Sequence, residues 1–466
     1  MAEPESQAEK GPRQQRELIE VDDELMRDIQ ELVQTRSNFL LLNILQDLYP
    51  ADIARILEHL EGDDLEFVFR LLSTETQSEV LPELRDAARD SLLQRVPATD
   101  LAKMLDGMAS DDAADIVGEM TEEAAEKILE TMDVRDSSHV EELLRYDAQT
   151  AGGIMAKEMA VVNDKATVKN AIRTVRKLAR EQKHLYSVYV VNENGILLGS
   201  VALQELLLHA PNKRMKSIMR EDVISVTTDL DQEEVAKVFT KYDIVSLPVT
   251  DTAGKLLGRI TVDDIVDVLE EEHEEDVARM VGSDAEELER RSPAQVAMLR
   301  LPWVIITLVV EMGAVFIVSR FDATLSRVIL LAAFMPIISA LSGNTGLQSA
   351  AIIVRGLATG HVQLSQWWRP VVRQLQTTLI IGGICGSILG VIGGFWMGNP
   401  VFGFVVGSSM LISVNISGFI GTVSPLLSKR LGFDPAITAG PFETAFQDVI
   451  GITIFLSIAT MLLQWL

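Results

Sequence analysis

From Leu18 to about Tyr146, apolar residues recur every three to four positions in short runs, each opened by a polar residue, as in Asp52–Leu57, Asp64–Phe69, Thr99–Leu105 and Asp112–Val117. Such runs predict successive short amphipathic helices with capped starts, stacked as an α-solenoid or bundle. From about Met155 the period changes. Tyr186–Val201 reads as strand, turn and strand, and Ala202–Leu208 as helix. The same phrase returns at Val245–Ile260, followed by the helix Val262–Leu269, with Gly195 matching Gly254 and Gly199 matching Gly258 at an offset of 59 positions. Glycine in the turn supplies the positive φ of a tight hairpin. The pattern therefore predicts a duplicated α/β module.

After Arg300 the pattern turns continuously apolar in five stretches: Leu301–Ser319, Val328–Val354, Val371–Trp396, Phe402–Leu427 and Ile437–Leu463. Each is near the ~20 residues needed to cross hydrocarbon. The second contains Pro336 and the run Ser342-Gly343-Asn344-Thr345-Gly346, which reads as a break in the helix. Irregular backbone at membrane depth survives only inside protein or along a watery cavity, so the break is a pore candidate; a kink or tight helix packing is the alternative. Arg355, Arg369, Arg373, Lys429 and Arg430 fall in loops on the side of the amino half, together with Arg290, Arg291 and Arg300, whereas the other side holds Arg320 and Arg327. The positive-inside rule then places the amino half in the cytosol and the carboxyl terminus outside.

Charge sharpens this division. The net charge is −27, yet the chain from Arg300 onward carries eight basic and five acidic residues, and the first 299 residues carry 33 basic and 63 acidic. So acidic a soluble half repels nucleic acid and concentrates cations. Met1 to Arg16, rich in Glu, Gln and Pro without an apolar core, reads as disordered rather than as a signal peptide. Cys385 is the single cysteine and the six histidines are scattered, which disfavours zinc and copper. Carboxylate and carbonyl oxygen remain, the ligand set of Mg²⁺ and Ca²⁺.

Asp448 falls near the middle of the fifth stretch, where an aspartate costs about 2.5–3.5 kcal/mol on insertion scales. Such a residue usually faces the bundle interior and marks an ion path, a carboxyl hydrogen-bonded to a neighbouring helix being the alternative, and Thr444 precedes it by one helical turn on the same face. Glu311 lies within the first stretch and is given no role. The run Glu270–Asp276 reads either as an exposed charged helix or as a cation site. No nucleophile–base pair, phosphate loop or metal-hydrolase motif is found, so an enzyme is not expected.

The repeated strand-turn-strand-helix phrase resembles the CBS domain, a regulatory module that works as a tandem pair. The whole order resembles the MgtE family of Mg²⁺ transporters. Pro336–Ser349 with Val354-Arg355-Gly356-Leu357-Ala358 is similar to that family's Pro…Gly-Gly-Asn-x-Gly-x-Gln…Arg-Gly signature, with Ser342 where glycine is usual. Asp434-Pro435-Ala436 and Gly440–Gly451 are similar to its last span, with Glu443 and Gln447 at commonly apolar positions.

The resemblance implies a multidomain fold: disordered 1–16, a solenoid-like helical domain 17–150, CBS repeats 151–218 and 219–270, an acidic connecting helix 271–299, and an all-α bundle of five transmembrane helices at 300–466. It implies Mg²⁺ as both substrate and regulator, a homodimer in the lipid of the cytoplasmic membrane, and no nucleic-acid partner. Asp448, Thr444, Asn344, Gly343, Gly346 and Pro336 would form the pore. Asp231, Glu233, Asp243, Asp264, Asp267, Glu272, Glu275, Asp276 and Asp434 would bind regulatory Mg²⁺. ATP on the CBS pair is allowed by the resemblance and not required. Transport of Co²⁺, Ni²⁺ or Mn²⁺, a sensor without a pore, and a CBS-regulated anion channel are the competing readings; Asp448 and the acidic half disfavour the last.

Overall fold

The computed structural model describes residues 22–179, 184–280, 283 and 292–466. The expected disordered start, Arg290, Arg291 and most of the connecting segment beyond 280 lie outside the described residues. Two compact units are present, Met1–Ile265 and Val266–Leu466.

The first unit opens with α1 (Asp23–Gln34), α2 (Asn38–Leu45), α3 (Pro50–Leu57), α4 (Gly62–Leu71), α5 (Thr74–Val80), α6 (Asp86–Arg95), α7 (Ala98–Leu105), α8 (Ser110–Gly118), α9 (Glu122–Leu129) and α10 (Val134–Leu143). Helices pack on the next but one along the chain: α2 on α4, α4 on α6, α3 on α5, α5 on α7, α7 on α9 and α8 on α10. This staggered stacking buries the three-to-four apolar faces, including Ile53, Ile56, Leu65, Phe69, Leu101 and Leu105. One expectation is corrected. Asp52, Asp64 and Asp112 are not caps but stand inside the first helical turn, behind Tyr49, Glu61 and Ala109. There their charge complements the positive end of the helix dipole.

The α/β module follows as two three-stranded sheets. β1 (Ala160–Asn163) runs parallel to β2 (Ser187–Val191), which pairs antiparallel with β3 (Leu197–Ala202); β4 (Val226–Thr227), β5 (Ser246–Thr250) and β6 (Leu256–Thr261) repeat the order. Helices α11 (Val168–Leu178), α12 (Leu203–Leu208) and α13 (Gln232–Tyr242) complete it. The duplication reaches fine detail. Gly195 and Gly254 both have φ +79°, and Asn192 and Asp251 close their turns with equivalent side-chain hydrogen bonds. The two hairpin turns also meet each other, Leu197 N donating to Gly254 O and Leu256 N to Gly195 O, both at 3.0 Å.

The last CBS helix and the acidic run are one continuous helix, α14 (Val262–Met280). No helix-breaking residue separates them, and the Glu-rich stretch has good helix propensity. The second unit then holds α15 (Pro293–Arg320), α16 (Asp322–Arg327), α17 (Leu330–Ala358), α18 (Trp368–Met397), α19 (Pro400–Leu431) and α20 (Pro441–Met461). Five helices are long and apolar enough to span a membrane, the last counted from Ile437. Their core gathers Leu331, Phe334 and Ile338 of α17, Phe402, Val406 and Met410 of α19, and Phe455 and Leu456 of α20.

The expected break in the second span does not occur: α17 is helical through Pro336 and through Ser342–Gly346. In hydrocarbon every freed backbone group costs several kcal/mol, so the glycines stay in the helix and serve packing instead. Hydroxyls reinforce the ladder, Thr345 Oγ1 donating to Leu341 O at 2.8 Å and Ser349 Oγ to Thr345 O at 2.7 Å.

Candidate ion path and acidic sites

The membrane site starts from spacing. Thr444 and Asp448 are one turn apart on α20 and both partly buried. They face Gly343 of α17, where an added Cβ would stand 3.1 Å from Thr444 Cγ2 and 3.6 Å from Asp448 Oδ1. Glycine is what lets the two helices close on the carboxyl. Asp448 Oδ1 is buried and finds no partner among the described residues.

Next along the interface, Gly346 packs on the Gln447 amide so closely that a Cβ there would collide with it. Gln447 Nε2 donates to Glu443 Oε1 at 2.7 Å, and both residues are buried. Asn344 and Pro336 do not join this group. They lie on the exposed side of α17, with Gln348 one turn beyond Asn344.

Of the regulatory acids, Glu275 and Asp434 are joined through Arg279, which bonds to both carboxylates, and Asp434 Oδ1 also accepts from Ala436 N at 2.8 Å. Glu272 and Asp276 share α14 with Glu275 and Arg279 and are partly buried, while Asp267 is exposed. Asp231 caps α13 by accepting from Glu233 N at 2.9 Å, and Glu233 pairs with Lys237 at 2.9 Å. Asp243 ends α13 in the left-handed conformation. Among the described residues no three His, Cys, Asp or Glu side chains converge tightly enough to hold a metal ion unaided.

Three features were missed from sequence. Asp111, at the start of α8, is 7% exposed, and its Oδ1 has no partner among the described residues. Burial, then the charges of Asp112, Asp264 and Glu158, hold it well above the ordinary carboxylate range. Burial also raises Asp264, whose Oδ2 accepts from Thr261 N and Oγ1 at 2.8 and 2.9 Å. Nearby Arg259 commits its guanidinium to the carbonyls of Glu158 and His184. The carboxylate oxygens suit a hard divalent cation, with His139 Nδ1 3.4 Å from Glu158 Oε1 beside them. The second feature is Arg279, between Glu275 and Asp434. The third is Glu311, on the face of α15 that packs on α20, where its carboxyl lies beside that of Asp448. Its sequence signal was an acid inside an apolar stretch; Asp111 had none beyond an ordinary helix-start Asp-Asp.

Residues 335–458 match the MgtE divalent cation transporter family, residues 48–149 the MgtE intracellular N domain, and residues 151–211 and 215–271 the CBS domain. These matches, with the five spans, define a multi-pass transporter of divalent cations with cytosolic amino-terminal domains, and not an enzyme. The chain is 33% identical over 449 residues to the magnesium transporter MgtE of Thermus thermophilus, across 95% of this chain and 100% of that one. It is 31% identical over 418 residues to magnesium transporter MgtE of Bacillus subtilis, across 90% and 93%. The chain belongs to the MgtE family of magnesium transporters. Over 52% of its length it is similar to the crystal structure of the cytosolic domain of the Mg²⁺ channel MgtE in complex with ATP, at TM-score 0.50 and 33% identity, covering 99% of that chain.

Proposed function

We propose that the protein is a Mg²⁺-selective channel that imports Mg²⁺ across the cytoplasmic membrane as a homodimer, held closed by cytosolic Mg²⁺ on its acidic sites. The observation that carries this reading is Asp448, a carboxylate within a span with one oxygen buried and unpartnered beside Gly343. Mg²⁺ sheds water reluctantly and is held by one or two carboxylates plus its own waters. Two copies of Asp448 about a twofold axis would hold such a hydrated ion. Asn344 and Gln348 support the dimer: amides exposed on a span are costly against lipid and call for a protein partner or a watery path. The carboxyl terminus then lies outside. Proteoliposomes are expected to take up Mg²⁺ and to carry chloride no faster than empty vesicles. Chloride flux would overturn the reading, and Co²⁺ or Ni²⁺ uptake without Mg²⁺ uptake would move it to another divalent cation.

Gating follows from crowded carboxylates. Asp111, Glu158 and Asp264 repel unless a divalent cation neutralises them, so Mg²⁺ favours the state in which they are gathered. In the second unit Met280, at the end of α14, packs on Ala350 and Val354 of α17 and on Ala436 and Ala439. An added Cβ at Gly440 would stand 2.9 Å from Met280 O. Mg²⁺ on Glu272, Glu275, Asp276 and Asp434 would fix α14 against the root of the helix that bears Asp448. Asp267, Asp231, Glu233 and Asp243 would add weaker, exposed sites, and the CBS pair would take ATP as in the related cytosolic domain.

Asp111→Asn tests the first cluster. A carboxyl whose folded pKa is raised costs stability above its unfolded value near ~4. The variant is therefore expected to be more stable than the parent in chelator at neutral pH, on the order of 1 kcal/mol, and to lose that advantage in acid. Its melting temperature should respond less to added Mg²⁺. An unchanged Mg²⁺ response would remove Asp111 from the regulatory set.

A further inference from the structure

The first span carries an acid for which a single-carboxylate path has no use. α15 exposes Val304, Leu308, Met312, Val315 and Phe316 around most of its circumference. Its packed side is marked by Ala314, which is buried, and by Val318, which packs on the bundle core. Glu311 precedes these by three and seven positions and so lies on the same face. That face packs on α20, where the Glu311 side chain meets Asp448. The arginines of α15, Arg300 and Arg320, are eleven and nine residues away, about 14–16 Å along the helix. Neither is placed to neutralise the pair.

We propose that Glu311 is a second carboxylate of the ion path, setting affinity for Mg²⁺ and preference for divalent over monovalent cations. Each protomer then presents two negative charges to the water shell of the passing ion. Two adjacent carboxylates resist joint ionisation, and a doubly charged cation relieves that repulsion more completely than Na⁺ or K⁺. The pair also accounts for an acid on so lipid-exposed a helix, where a lone charge is expensive. The inference rests on Asp448 lining the path.

The test is Mg²⁺ uptake by the full-length protein in liposomes, with Glu311→Gln and Asp448→Asn compared side by side over a Mg²⁺ series and with Na⁺ as competitor. Glu311→Gln is expected to raise the half-saturating Mg²⁺ concentration about tenfold, the effect of one unit charge on a divalent ion about 5 Å away in a watery path. Competition by Na⁺ should increase while saturated flux changes far less. Glu311→Asp, which keeps the charge one methylene further back, should recover most of the affinity. Wild-type saturation and Na⁺ competition in Glu311→Gln overturn the proposal. If that variant does not assemble, Glu311→Ala decides by the same two readouts, and wild-type saturation with wild-type Na⁺ competition in it overturns the proposal. Normal flux in Asp448→Asn instead removes the ion-path reading itself, and a dead Asp448→Asn beside an unaltered Glu311→Gln removes only Glu311.

Discussion

Asp448→Ala is expected to lower Mg²⁺ uptake in proteoliposomes by about a hundredfold or more, while the protein remains monodisperse and keeps its helix content. The carboxylate belongs to a span where its charge costs about 2.5–3.5 kcal/mol, so removing it relieves the fold rather than straining it. Gly343 leaves Asp448 Oδ1 open on the α17 side, where no partner among the described residues would be orphaned by the change, and Glu311 loses only a like-charged neighbour. What is lost is charge. A hydrated divalent ion crossing a bilayer depends on fixed negative charge to offset its desolvation, and a neutral ring of small side chains offers none. Asp448→Asn separates charge from shape, because it keeps the size and the hydrogen-bonding oxygen and is expected to fail as well. Wild-type uptake by either variant would sink the assignment of the path.

The second large effect is expected from a chain that begins at Val262. It keeps α14 whole and retains the membrane unit, which is compact by itself from Val266 onward. The full-length protein should close as Mg²⁺ inside the vesicle rises, with flux falling about tenfold or more. The shortened chain should lose most of that closure, since of the two cation sites only the one whose carboxylates Arg279 already engages remains. A ligand shifts an equilibrium only through its differential affinity for the two states. Removing residues 1–261 takes away Asp111 and Glu158 and leaves Asp264 without them. The acids that stay on the membrane unit include Glu275 and Asp434, both bonded to Arg279, whose fixed positive charge competes with a cation there. Undiminished closure of the shortened chain by internal Mg²⁺ would show that the sensor lies in α14 and the membrane unit alone.

Local pattern disclosed a good part of this molecule. Five apolar stretches became five membrane-length helices, and the repeat at 59 positions became two sheets of one topology with matching turns. The gap between pattern and structure opened where a local signal had two outcomes. Glycine and proline in the second span signal either broken backbone or close helix contact. The structure took the second, because hydrocarbon penalises an open backbone and offers nothing against tight packing. Asn344 sat in the most specific motif yet lies on the outer face of α17, a quarter turn from Gly343.

By itself the sequence determined which segments are long and apolar enough to span a membrane, that the α/β module is doubled, and that three acids, Glu311, Glu443 and Asp448, lie among apolar residues. These follow from windows no longer than a helix, within which hydrophobicity and period act directly. Only the tertiary structure decided which acids come together: Asp111 within the field of Asp264, Glu275 with Asp434 through Arg279, and Glu311 beside Asp448. Each pair joins residues from different elements, and their meeting depends on how helices pack, a property no single stretch of chain encodes.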